Sequence, residues 1–283
     1  MFRKIIPGVL ILALVSLACG FQVNLPTVVT PGPATTDKIS VPLPADTTQT
    51  VDMTLAFGAG TLNVHPGAES LVSGTATYNI PDFKPTVTAS GTTVSIEQGN
   101  WHMNGIPDVS KIKNEWDLAL GNVPLNLTIN GGAYNATYEF GGLSLKNLTI
   151  KDGAAQSVLD FSSPNAANMT LLHYETGASN VTMTGLGNAN FNSLEFTSGA
   201  GSYKLDFSGA LKRDGSVHIT SGVSSLTLVI PQGIPVQVNT SGLANVTYGS
   251  GWTKNGNVLT QTGSGPQLVI VAALGAGNLT LTR

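Results

Sequence analysis

The residues best placed to do chemistry are two aspartates, Asp160 and Asp206, which occupy the same position in two copies of a repeating unit. Each lies between the members of an apolar pair, Leu159/Phe161 and Leu205/Phe207, so that alternation along a β-strand turns both carboxylates outward. If the copies stack as neighbouring strands, a rung containing Thr182 separates them, and two strand spacings put them about 9–10 Å apart. That is close to the separation at which one carboxyl protonates a glycosidic oxygen while the other activates water on the opposite side. No third acid and no arginine completes such a site. Two solvated members of a Thr/Asp ladder are therefore the preferred reading, and a carbohydrate-active enzyme ranks last.

The four histidines, His65, His102, His173 and His218, fall in different units. His173 and His218 share a strand position, with Glu195 between them, and imidazole with carboxylate is a ligand set that suits zinc. Ligands two rungs apart are too distant for one ion, so a surface role is expected, with neither metal nor cofactor. No glycine-rich stretch ends in the Lys-Ser/Thr of a phosphate loop, and no Gly-x-Ser-x-Gly precedes a helical pattern. Asn-x-Thr recurs at Asn126, Asn135, Asn147, Asn168, Asn180, Asn245 and Asn278, as expected where Asn and Thr fill outward strand positions. Trp101 sits in a Gly/Asn loop; Trp116 reads as a packing residue at an array edge.

What must position these residues is a unit of two short alternating strands around a small-residue corner, best seen from Leu194 to Phe207. Its corner glycines 131, 153, 177, 199, 222 and 242 follow one another at 22, 24, 22, 23 and 20 residues, a period that marks a solenoid. Further copies sit around Gly58 and Gly275. Aligned on the corner, the copies give inward apolar pairs and, between the members of each pair, an outward column of Asn63, Thr137, Asp160, Thr182, Asp206, Thr227, Thr247 and Thr280. That column is the expected partner surface. The glycines are expected to allow tight bends and unusual φ values. The fold class is all-β: a single-stranded parallel β-helix of about 22 residues per coil with an N-terminal antiparallel insertion.

Composition narrows the function classes. Charged residues are 10% of the 283 and the net charge is −3, so no basic stripe exists to hold nucleic-acid phosphates. Hydrophobic residues make up 41%, set in alternation, which supports a folded β protein despite 33 glycines.

The single cysteine, Cys19, excludes an intramolecular disulfide. Arg3 and Lys4 precede a mostly apolar run from Ile5 to Leu17, shorter than the roughly 20 residues a membrane-spanning helix needs. Ser16-Leu17-Ala18-Cys19-Gly20 resembles a bacterial lipobox. The resemblance implies a signal peptide over 1–18, lipidation of Cys19, and anchoring to a membrane of the bacterial cell envelope on its extracytoplasmic side. Residues 19–49, rich in Pro and Thr, read as a tether. Residues 50–115 read as an N-terminal β section or cap, and 116–283 as the repeat array. The final copy, from Leu268 to Leu281, is expected to close the open end of the stack.

At Gly58-Ala59-Gly60-Thr61-Leu62, Phe83-Lys84-Pro85, Asn114-Glu115-Trp116-Asp117-Leu118 and Val123-Pro124-Leu125-Asn126-Leu127, the chain resembles the toast-rack family of bacterial envelope proteins. The resemblance covers residues 50–283 and carries no catalytic residue over. It implies an envelope β-helix related to candidate adhesins. Adhesion, or binding of an envelope glycan or protein without catalysis, is the leading expectation; an envelope-stress sensing or regulatory module is the alternative.

Overall fold

The computed structural model describes residues 28–29, 31–100, 106–107 and 109–283; the expectations for the signal segment, Cys19, Trp101 and His102 fall outside them. Seventeen strands follow one another, with no α-helix among the described residues. They are β1 (Val28–Val29), β2 (Thr35–Val41), β3 (Val51–Pro66), β4 (Val72–Tyr78), β5 (Pro85–Ser90), β6 (Thr93–Gln98), β7 (Ile106–Pro107) and β8 (Asn114–Leu120). Then come β9 (Pro124–Glu139), β10 (Ser144–Asp160), β11 (Met169–Thr184), β12 (Phe191–Asp206) and β13 (Gly215–Val229). Last are β14 (Val236–Tyr248), β15 (Thr253–Asn255), β16 (Val258–Gln261) and β17 (Leu268–Thr282). Strands β1 and β7 pair with each other, and the other fifteen form one sheet, mostly parallel.

The long strands lie in the order β3, β9, β10, β11, β12, β13, β17, β14, each parallel to the next. From β9 to β13 the register pairs Ile129 with Ile150, Ile150 with Tyr174, Tyr174 with Phe196 and Phe196 with Ile219, steps of 21, 24, 22 and 23 residues. Each strand alternates, and the inward members stack into rows such as Met53, Leu127, Leu148, Leu172, Leu194, Val217 and Ile270, all at most 1% exposed. A fully buried side chain of this kind contributes about 1.5–3 kcal/mol, so continuous rows hold the strands in register.

At the corner, Gly58, Gly132, Gly153, Gly177, Gly199, Gly222 and Gly275 stack with no positive φ among them. At these seven the reason for glycine is close approach rather than backbone freedom, while the expected positive φ is found at Gly242 and, two residues further on in other corners, at Gly60, Gly201 and Gly277. A Cβ on Gly177 would lie 2.5 Å from the Gly153 carbonyl oxygen, and one on Gly222 would lie 2.6 Å from that of Gly199. Gly132 rather than Gly131 belongs to this column, and Gly242 does not.

Three further expectations are revised. Residues 35–41, assigned to the tether, form β2, because Ile39 and Val41 alternate and bury against the sheet through antiparallel pairing with β4. The final copy, β17, does not close the stack but lies between β13 and β14. Its inward Ala272 and Leu274 face Thr240 and Gly242 of β14, so β17 fills an interior rung with apolar volume that β14 lacks. The outward column is also shifted in two copies, as described below.

The opposite end is built differently. Beneath β3 the rung is split: β6 runs parallel to Asp52–Ala56 and β8 parallel to Thr61–Pro66. Strand β5 then pairs antiparallel with β6, β4 with β8, and β2 with β4, which covers this end of the parallel stack.

Candidate functional surface

The outward column predicted from the corner alignment is real, but its membership differs. Thr137 pairs with Val158, Val158 with Thr182, Thr182 with Lys204, Lys204 with Thr227, Thr227 with Thr280, and Thr280 with Thr247; Asn63 precedes Thr137. Asp160 and Asp206 therefore lie two residues beyond the column: in every copy the residue five positions after the stacked corner glycine holds it, and in these two copies that residue is Val158 and Lys204. Asp160 faces Glu139 on one side and Thr184 on the other.

Both aspartates work locally. Asp160 accepts a hydrogen bond of 2.5 Å from Thr184 Oγ1, and Asp206 Oδ1 accepts the Ser208 amide at 2.9 Å. Glu139 does the same for its own turn, accepting from the Gly141 amide at 2.6 Å and the Ser162 hydroxyl at 2.9 Å. Asp206 and Glu139 thus hold turn amides, and Asp160 is tied to the end of the neighbouring strand.

His173, Glu195 and His218 share a column as predicted, and Thr149 and Thr128 continue it. His173 Nδ1 lies 3.2 Å from Glu195 and its Nε2 3.6 Å from Glu175, which also meets Lys151 at 3.3 Å. The bond from Lys151, and next the one from His173, holds the Glu175 carboxyl below its ordinary range. Among the described residues no group of three or more His, Cys, Asp or Glu could hold a metal ion. The result is a charged cluster on an otherwise polar face. Elsewhere the face is tied across rungs by amides: Asn126 donates to Asp52 at 2.7 Å and Asn147 to Asn126 at 2.8 Å.

One site escaped the sequence reading. Asp152 precedes corner Gly153 and points inward, in a row with Thr176, Ser198 and Ser221. It is 7% exposed, and its Oδ2 accepts from Tyr174 at 2.7 Å and from Tyr134 at 3.3 Å; Tyr138 lies 3.0 Å from Tyr134. Burial raises the Asp152 carboxyl above its ordinary range, against the hydrogen bonds from Thr176, Tyr174 and Tyr134. Burial first, and then the Asp152 charge, push the Tyr134 and Tyr174 hydroxyls upward. Ser198 donates to Ser221, and Ser221 to Ser224, both at 2.8 Å. A shallow groove of 600 Å³ runs beside this row, lined by Lys151, Asp152, Glu175, Thr176 and Ser198. The signal in the sequence is a polar residue before four successive corner glycines, 153, 177, 199 and 222, at positions where alternation demands an inward side chain.

Comparison with known proteins places these features in context. The family model for the N-terminal domain of toast_rack, DUF2154, matches residues 30–184. No curated protein sequence matches at a significant level. Among solved structures, a candidate cell adhesion protein from Clostridium sporogenes is 18% identical, over 88% of this chain and 99% of that one, with a TM-score of 0.49. A candidate adhesin from Parabacteroides merdae is 12% identical over 90% and 99%, with a TM-score of 0.36. A candidate lipid-binding protein from Parabacteroides distasonis is 10% identical over 91% and 100%, with a TM-score of 0.42. Likeness at this level transfers no function.

Proposed function

The chain belongs to the toast-rack family, and from that premise we propose that it is a non-catalytic cell-envelope protein whose stacked faces bind an envelope glycan or protein. Its strands are read as the coils of a single-stranded β-helix, one strand and one return connection of about 22 residues per coil. Lipidated Cys19 anchors it to the membrane on the extracytoplasmic side, and the segment that follows sets the stack off that surface.

The observation that carries this reading is the outward column running unbroken through eight rungs, from Asn63 to Thr247. Strands about 4.8 Å apart set one amide, five hydroxyls and the ammonium of Lys204 along this line, with Val158 the one apolar rung, an arrangement that suits an extended polymer better than a small substrate. Of the acids that could have served hydrolysis, Asp160 accepts from the Thr184 hydroxyl and Asp206 from a turn amide instead.

The test is a glycan and peptidoglycan-fragment array probed with a chain that retains β2, followed by product analysis of each hit. A specific ligand recovered intact, with binding weakened by Thr182→Ala or Thr227→Ala, is expected. Released product that Asp160→Asn abolishes would overturn the non-catalytic reading. A blank array with a defined envelope protein recovered by pull-down would favour the sensing or regulatory role. Anchoring is checked separately: Cys19→Ser is expected to move the protein from the membrane to the soluble fraction.

A further inference from the structure

The two ends of the stack are not equivalent. In the interior, second-half inward residues are sealed: Leu228, Leu279 and Leu281 are at most 1% exposed. In the terminal rung β14, Tyr248 shares the row of Leu281 but is 41% exposed, and Val246, in the row of Leu279, is only partly buried. Strand β16 covers β14 only from Val236 to Asn239, and the last tie on that side is the Thr240 amide to the Asn257 carbonyl at 2.9 Å. Among the described residues no strand pairs with the outer edge of β14 beyond that point. The segment Ser241–Tyr248 therefore presents alternate unpaired amides and carbonyls, with Leu243 beside them at 85% exposure. A cavity of 290 Å³ opens there onto core residues Leu274 and Leu279.

Such an edge is a template for another strand. We propose that its occupant is the same edge of a second copy, paired antiparallel about a two-fold axis near Ala244 and Asn245. Ser241 to Tyr248 holds no charged residue, so directly paired positions carry no like charges; the lysine beside them, Lys254, lies 6.0 Å from the Tyr248 ring centre, at one end of the segment. An antiparallel strand pair is self-complementary under two-fold symmetry, as a closed dimer interface must be. At the other end of the parallel stack the edges belong to the antiparallel strands β2 and β5, so a head-to-tail contact would join unlike edges and would not close on itself. The dimer joins two stacks through their terminal rungs and shields Val246 and Tyr248.

The test uses the full chain in detergent, its protein mass measured by light scattering with the micelle subtracted. A two-chain mass that dissociates on dilution is expected. Asn245 is exposed and outward, so Asn245→Lys leaves the fold intact while placing two lysines on one face across the axis; dissociation should become at least tenfold easier. An equal mixture of Asn245→Lys and Asn245→Glu should recover the two-chain mass. Ser202→Lys, in the same outward column but in an interior rung, should leave it unchanged. A one-chain mass for the unaltered protein, including one in which the edge takes up a strand of an unlike protein, overturns the proposal. So does a dimer that Asn245→Lys leaves intact, or a mixture that stays at one-chain mass.

Discussion

The stacked corner glycines and the buried Asp152 show how little room single residues have in this architecture. Each glycine faces the carbonyl oxygen of the glycine one rung away, so the cost of a methyl depends on that gap. Gly177→Ala, with a Cβ 2.5 Å from the Gly153 oxygen, is expected to lose about 1–3 kcal/mol in denaturant unfolding. Gly153→Ala, with 3.1 Å to the Gly132 oxygen, should lose clearly less. Asp152 makes a prediction about pH. Burial lifts its folded-state pKa above the ordinary 3.8, so within the window between the two values the folded chain holds more protons than the unfolded one. Stability then falls as pH rises through that window, and the loss is complete above the folded-state value. Asp152→Asn removes this dependence. Thermal melts of parent and variant should therefore diverge in favour of the variant from pH 3 to pH 7, and parallel curves would contradict the assignment.

For the strands, the decisive fact is the place of β17 between β13 and β14. Leu279 is packed between Leu226 and Val246 and is 1% exposed, so Leu279→Ala should cost about 2–5 kcal/mol in a denaturant series. Leu243, in the terminal rung and 85% exposed, should change stability by no more than about 0.5 kcal/mol when cut to alanine. Equal losses at both positions would mean that β14 is covered in the isolated chain. Strand β2 carries a practical consequence. A fragment that begins at Thr50 removes Thr35–Val41 and uncovers Val72 and Ala76 of β4, both fully buried, so it should melt lower than a chain that keeps β2.

The whole molecule is a linear stack in which each long strand touches its immediate neighbours, so protection should vary along it. In the dissociated single chain, amide hydrogen exchange is expected to be slowest in β10 to β13 and fastest in Ser241 to Tyr248, where β14 has lost its outer partner. Uniform protection from end to end would argue against a stack that opens from its terminal rung. The sequence by itself determined the strand content, the period, the first-half inward rows and the parallel stacking, because alternation and spacing are local properties written in every copy; the second-half rows were one pair out in two copies. It also placed the column of His173, Glu195 and His218 correctly, since the first half-strands keep a constant length before the corner. It misplaced Asp160 and Asp206 and overlooked Asp152. Alternation repeats every two residues, so flanks such as Leu159/Phe161 fit equally well one pair along, and only the pairing of Val158 with Thr182 and of Lys204 with Thr227 decides between the two registers. The insertion of β17 and the addition of β2 were likewise settled by tertiary structure. Which strand may end a stack is decided by how much apolar surface each would leave uncovered, a comparison between distant segments that no single repeat contains.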